Sequence, residues 1–130
     1  MGLIIDTSVI IDIENKVEST IKKIYNLSRL HNEKGSISFI TYYEFMYGIK
    51  KKSIKNQQRL ILKIKKYKLL NTTEKTPEII LELKYKYDKL GMILPLSDLI
   101  IAAQTKEHNH LLVTKDSHFK KFDEIKKEII

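Results

Sequence analysis

The sequence contains no cysteine, which excludes disulfides, thiolate nucleophiles and Cys-ligated zinc. It has only two prolines and four glycines, and no Pro/Gly-rich linker, internal repeat or low-complexity tract divides it. One domain over residues 1–130 is therefore expected, in a chain long enough to bury a real core. No apolar run reaches the length that crosses a bilayer, so no membrane partner is expected. The opening Met1-Gly2-Leu3-Ile4-Ile5-Asp6 lacks the basic segment of a secretion signal. These absences together point to a cytoplasmic location. What is there, 42% hydrophobic and 31% charged residues, is an ordinary globular composition.

One further absence is local. Between Phe45 and Thr73 there is no acidic residue, while Lys50, Lys51, Lys52, Lys55, Arg59, Lys63, Lys65, Lys66 and Lys68 crowd together. The formal net charge of +8 makes polyanions plausible partners without identifying one. Any one of these lysines reads as a solvated helix position. As a block they repel at helical spacing unless something gains from them. A phosphate backbone or an acidic partner segment would supply that gain.

Hydrophobic spacing predicts alternating strands and helices. Leu3-Ile4-Ile5 reads as a short buried strand ending at an Asp6-Thr7-Ser8 turn. Val17, Ile21, Ile24 and Leu27 recur at helical spacing and close near Asn32. Gly35 introduces an alternating strand, Ser36-Ile37-Ser38-Phe39-Ile40. Thr41, with Glu44 three residues on, opens a helix, and a second basic helix with Leu60, Ile61 and Ile64 follows. Leu69-Leu70 reads as a third strand, and Thr76-Pro77-Glu78 as a helix start ended by Gly91. Ile93-Leu94 is expected to add a little extended structure before Pro95. Ser97-Asp98 caps an apolar helix whose Ala102 and Ala103 suggest close packing on a sheet. Leu111 to Thr114 is another buried strand, and a mixed-charge amphipathic segment runs from Phe119 to Ile130. The alternation implies an α/β fold with a mainly parallel sheet.

In such sheets function collects beyond the carboxyl ends of the strands. Asp6 follows the first strand directly, and Asp116 lies two residues after the Leu111–Thr114 strand. Glu44 falls in the first turn of the helix after the second strand, and Asp98 opens another helix. Right-handed connections put all four positions on one sheet edge. Each has a plain structural explanation: a turn at Asp6, a capping box of Glu44 with Thr41, a helix dipole at Asp98, a surface loop at Asp116. Four uncompensated carboxylates in one crevice, however, repel strongly. A cation among them relieves this, and all-oxygen ligation suits Mg²⁺ or Mn²⁺.

Four segments recur together: Ile5-Asp6-Thr7-Ser8; Thr41 through Glu44 to Gly48; Pro95-Leu96-Ser97-Asp98 with Ile101-Ala102-Ala103; and Leu112-Val113-Thr114-Lys115-Asp116 with Phe119. In this order and spacing the sequence resembles the PIN-domain nucleases, most closely the VapC-type toxins of prokaryotic toxin–antitoxin pairs, over essentially the full chain. The resemblance implies a PIN-like three-layer α/β/α sandwich with a central, mainly parallel sheet. It implies Asp6, Glu44, Asp98 and Asp116 as the catalytic acids, with Asp6, Asp98 and Asp116 as the metal-binding group. Glu44 would bind a second metal or orient the attacking water. Thr7, Ser8 and Thr114 would orient or hydrogen-bond the acids, and Asp12 reads as a helix-start residue outside the metal shell.

The implied activity is RNA phosphodiester hydrolysis by metal-activated water, leaving a 5′-phosphate and a 3′-hydroxyl. The implied partners are RNA, a cognate antitoxin that blocks the acidic site, and a second copy in a homodimer. Two other readings keep the fold: a housekeeping RNA-processing nuclease, and a non-catalytic RNA- or partner-binding module. The second leaves four mutually repelling acids without a purpose. A receiver-like phosphoacceptor needs an adjacent acidic pair early in the chain, which is missing. His31, His108, His110 and His118 match no zinc spacing and read as surface or structural, although His118 lies near enough to Asp116 to reach a substrate. Tyr42, Tyr43 and Tyr47, beside Glu44, read as core or dimer contacts before base-stacking ones. Ser8 and Ser97 lack a partnered base for nucleophilic chemistry.

Overall fold

The computed structural model describes residues 2–31 and 35–130. Five strands form one all-parallel sheet: β1 (Leu3–Ile5), β2 (Ser36–Ser38), β3 (Lys68–Leu70), β4 (Leu111–Thr114) and β5 (Lys126–Ile129). Their order is β3-β2-β1-β4-β5. The helices are α1 (Thr7–Glu14), α2 (Glu18–His31), α3 (Phe39–Ile49), α4 (Ile54–Ile64), α5 (Lys75–Lys89) and α6 (Leu96–His108). None of the described helices is long and apolar enough to cross a membrane.

The two middle strands, β1 and β4, are apolar except for Thr114 at the end of β4, because both of their faces are covered, as parallel sheets require. Alternate residues go to opposite sides. Ile4 and Leu112 join Leu83, Tyr87, Leu99, Ala102, Phe119 and Phe122 beneath α5 and α6. Leu3, Ile5 and Val113 join Val9, Ile10, Ile37 and Ile64 on the other side, with Ile24, Leu27, Phe45 and Met46 packed against them. The result is a three-layer α/β/α sandwich. Ala102 and Ala103 are fully buried, as their small size suggested. The carbonyl at the end of β3, Leu70 O, accepts a 2.8 Å hydrogen bond from buried Gln104 Nε2 on α6.

Several boundaries differ from the sequence-based expectation. The Asp6 turn is the start of α1, whose run Thr7-Ser8-Val9-Ile10-Ile11 is mostly β-branched and a poor advertisement for a helix. Asp12 therefore lies well inside α1 and is no helix-start residue. The second strand stops at Ser38, because Ser38 Oγ accepts from Ile40 N–H at 3.2 Å and caps α3. Helix α5 begins before Thr76: Thr73 Oγ1 accepts from Lys75 N–H while Thr76 Oγ1 accepts from Thr73 N–H, a reciprocal capping pair. Ile93 and Leu94 form no strand, and Pro95 rather than Ser97 or Asp98 precedes α6. The amphipathic tail resolves into a 3₁₀ turn, Ser117–Lys121, and the edge strand β5. The predicted close near Asn32 falls outside the described residues.

Candidate active site

Strands β1, β2 and β3 are laid down in one direction across the sheet, and β4 and β5 in the other. Connections beyond β1 and β4 thus diverge and leave a crevice between their carboxyl ends. Asp6 stands at its base. Its N–H still belongs to the ladder, donating to Val113 O at 3.0 Å. Its carboxylate, only 8% exposed, begins α1: Oδ1 accepts from Thr7 N–H at 2.8 Å. Oδ2 accepts from Thr114 Oγ1 at 2.6 Å and from Ser8 Oγ at 3.3 Å. Thr114 Oγ1 and Ser8 Oγ in turn accept from the N–H groups of Asp116 (3.0 Å) and Lys115 (3.2 Å). Thr7 therefore reaches Asp6 through its backbone, Ser8 and Thr114 through their hydroxyls.

Asp116 caps the 3₁₀ turn after β4, accepting from His118 N–H at 2.9 Å through Oδ1. The same oxygen lies 3.1 Å from His118 Nδ1. Asp98 is the third residue of α6, whose amino end faces the same crevice, and its side chain makes no capping bond. Asp98, Asp116 and His118 each offer one donor atom within 4.8 Å of the others. Glu44 sits in the second turn of α3, not the first, because the helix starts at Phe39. Thr41 is inside that helix and fully buried, so the capping-box explanation of Glu44 is removed. Asp98 likewise is not a cap.

Electrostatics join these four residues. Burial, then the charges of Asp6 and Asp98, push the Glu44 carboxyl above its usual range. Burial, then Asp116 and Asp6, push Asp98 up, while His118 pulls it down. Among the described residues no lysine or arginine pairs with any of the four, in a chain carrying 24 such cations. Burial and mutual repulsion, offset among the described residues by no lysine or arginine and only in part by His118, fit a site that holds a hard dication through oxygen donors.

Other candidates fall elsewhere. Asp12 Oδ2 is held by Lys115 Nζ (2.8 Å) and Thr20 Oγ1 (2.6 Å), and these bonds keep its carboxyl below the usual range. It ties α1 to α2 and to the segment after β4. His108 and His110 pack together at the opposite sheet edge, with His110 Nδ1 accepting from Gly2 N–H at 3.2 Å. The His31 side chain lies outside the described residues. His118 is the histidine that the fold delivers to the acids, and its position two residues after Asp116 was the only sequence signal. Tyr42 packs against the core, whereas Tyr43 and Tyr47 are exposed and stack on each other at 6.4 Å.

A groove of about 430 Å³ runs from Glu44 and Thr7 between α1, α3 and α4, floored by Ile11, Phe45 and Leu60. Lys52 and Arg59 from the acid-free stretch line it. Arg59 and Lys63 are already paired with Glu14, at 3.9 and 3.0 Å, so an acid from α1 offsets part of that block.

The family model for the PIN domain matches residues 3–125. Comparison with curated proteins by sequence gives no match. Among solved structures, the chain is similar to VapBC2 from Rickettsia felis bound to a promoter DNA fragment, with a TM-score of 0.86 and 25% identity over 100% of this chain and 99% of that one. It is also similar to DNA-bound VapBC from Salmonella typhimurium (TM-score 0.80, 22% identity, 99% and 98% covered). A toxin–antitoxin complex from Klebsiella pneumoniae shares the fold as well (TM-score 0.72, 24% identity, 95% and 94% covered). With the family model spanning nearly its whole length, and a parallel sheet whose switch-point crevice collects four acids, this chain belongs to the PIN-domain family of nucleases.

Proposed function

We propose that this chain is a single-domain, Mg²⁺- or Mn²⁺-dependent endoribonuclease, the toxin of a type II toxin–antitoxin pair. One observation carries the reading. Asp6, Glu44, Asp98 and Asp116 come from four separate elements to one crevice, where burial and repulsion raise two of them and, among the described residues, no lysine or arginine pairs with them. A structural role gives no reason for such a cluster.

Asp6, Asp98 and Asp116 are the residues that would hold the ion, and Glu44 would bind a second ion or orient the attacking water. When bound, the ion lowers the pKa of its water and offsets charge that develops on the phosphoryl oxygens. Thr114 and Ser8 hold Asp6 Oδ2, the Thr7 N–H holds Oδ1, and Thr114 Oγ1 also accepts from the backbone N–H of Asp116, so the donors are positioned before any ligand arrives. The net charge of +8 favours approach of a polyanion to an otherwise acidic crevice.

The likeness to VapBC structures supports a cognate antitoxin as partner; a homodimer and a cytoplasmic location are the further parts of this proposal. A small antitoxin-like reading frame directly upstream separates this from a housekeeping nuclease. Purified protein is expected to cut RNA only with Mg²⁺ or Mn²⁺ present. Asp6→Asn should lower the rate by at least about a hundredfold while the circular dichroism spectrum is unchanged. Undiminished cleavage by that variant, or by enzyme treated with EDTA, would sink the mechanism.

A further inference from the structure

We infer that His118 is a nitrogen ligand of this site, alongside Asp98 and Asp116, and that it biases the site toward Mn²⁺ over Mg²⁺. The inference rests on the metal-nuclease reading and adds a residue and a selectivity to it. It starts from how position 118 is held. Phe119 and Phe122 are buried in the core at 1% and 0% exposure, so the 3₁₀ turn between Asp116 and Phe122 is anchored on one side. Asp116 Oδ1 accepts from His118 N–H and fixes the other side. These anchors fix the backbone at residue 118, and its largely exposed imidazole stands with Nδ1 beside Asp116 Oδ1.

The spacing there suits an ion. Adjacent ligands on an octahedral dication with bonds of roughly 2.1 Å lie about 3.0 Å apart, and opposite ligands about 4.2 Å. His118 Nδ1 and Asp116 Oδ1 are 3.1 Å apart. Donors of all three residues fall within 4.8 Å of one another, which opposite corners also satisfy. A plain ion pair between His118 and Asp116 would account for the first distance only. It leaves the approach of Asp98 unexplained, and on an exposed surface it contributes little.

The chemistry follows from the donor type. Carboxylate oxygens alone suit Mg²⁺, whereas an imidazole nitrogen adds affinity along the transition-metal series and little for Mg²⁺. No other described histidine reaches the crevice: His108 and His110 pack together at the far edge. Among the described histidines a nitrogen signal from a bound ion therefore has one source.

The test uses the purified full-length chain with MnCl₂ and MgCl₂. Electron spin-echo modulation of bound Mn²⁺ should show coupling to a directly bound ¹⁴N, absent in His118→Ala. Titration calorimetry should show the Mn²⁺/Mg²⁺ affinity ratio falling by about tenfold in His118→Ala, the scale on which ligand-shell changes act. His118→Asp, which puts an oxygen donor in place of the nitrogen, should bind Mg²⁺ at least as tightly as wild type without restoring the ratio. A wild-type Mn²⁺ complex without nitrogen coupling, or a ratio that His118→Ala leaves unchanged, overturns this inference and leaves the nuclease reading standing. Failure of the wild-type chain to bind either ion overturns both.

Discussion

Two groups of acidic residues in this molecule are treated in opposite ways. Glu124, after the 3₁₀ turn, is fully accommodated: Lys86 Nζ forms an ion pair with it, and Tyr87 Oη lies 2.8 Å from its Oε2 and 2.9 Å from the Lys121 carbonyl. Although burial opposes it, hydrogen bonds from Lys86 and Tyr87 and the Lys86 charge bring its carboxyl below the usual range. Asp98 and Glu44 have no hydrogen-bond or ion-pair partner among the described residues, and their carboxyls are pushed up. One acid is there to fasten α5 to the tail; the others are held against their preference. The contrast separates a structural carboxylate from a poised one within a single chain.

Substitution can break or sharpen that contrast. The largest expected effect is at Thr114, which is fully buried and serves both sides of the crevice. Thr114→Val leaves Asp6 Oδ2 short of a donor and the Asp116 N–H without an acceptor. It should cost about 2 kcal/mol in urea unfolding and lower nuclease activity; a neutral result would show that the acids need no such support.

A smaller loss, about 1 kcal/mol, is expected for Glu124→Gln. Its pH dependence has a definite sign. Because the folded-state pKa of Glu124 is depressed, its contribution is present above the ordinary glutamate value and disappears as pH falls through the lowered one. Thermal melts of the Gln variant should therefore converge with wild type in acid. Persistence of the difference at the lowest pH would place its cause elsewhere.

The smallest change is opposite in sign. The folded-state pKa of Asp98 is raised, so in metal-free protein its ionisation destabilises the fold as pH rises from the ordinary aspartate value through the raised one. Asp98→Asn should raise the metal-free melting temperature by a few degrees at neutral pH, with the gain vanishing in acid. A drop at neutral pH would mean that Asp98 supports the fold, and the contrast with Glu124 would be lost.

The sequence made some of this legible and concealed the rest. Leu3-Ile4-Ile5 and Leu111 to Val113 announce themselves because doubly covered strands read as continuous apolar runs. With those strands placed, topology alone carries Asp6 and Asp116 to one edge. Helix α1 was hidden behind β-branched residues, and the strand at 36–40 looked longer than it is because Ser38 turns the chain with its side chain. Strand β5, Lys-Lys-Glu-Ile, has no apolar pattern; its four pairings with Leu111 to Thr114 define it. His118 was legible only through its place two residues after Asp116, because its other neighbour arrives from elsewhere in the chain. Asp98, from a different helix, supplies the third corner.

The pairing of β1 with β4 joins Leu3 to Leu111, and Thr114 bonds Asp6 across 108 residues. Such contacts form late, since a long loop must close before they stabilise anything. A chain still being synthesised holds Asp6 without its Thr114 partner until β4 has emerged. Hazardous chemistry is thereby deferred: the crevice comes into being only when β4 has been made and has docked on β1.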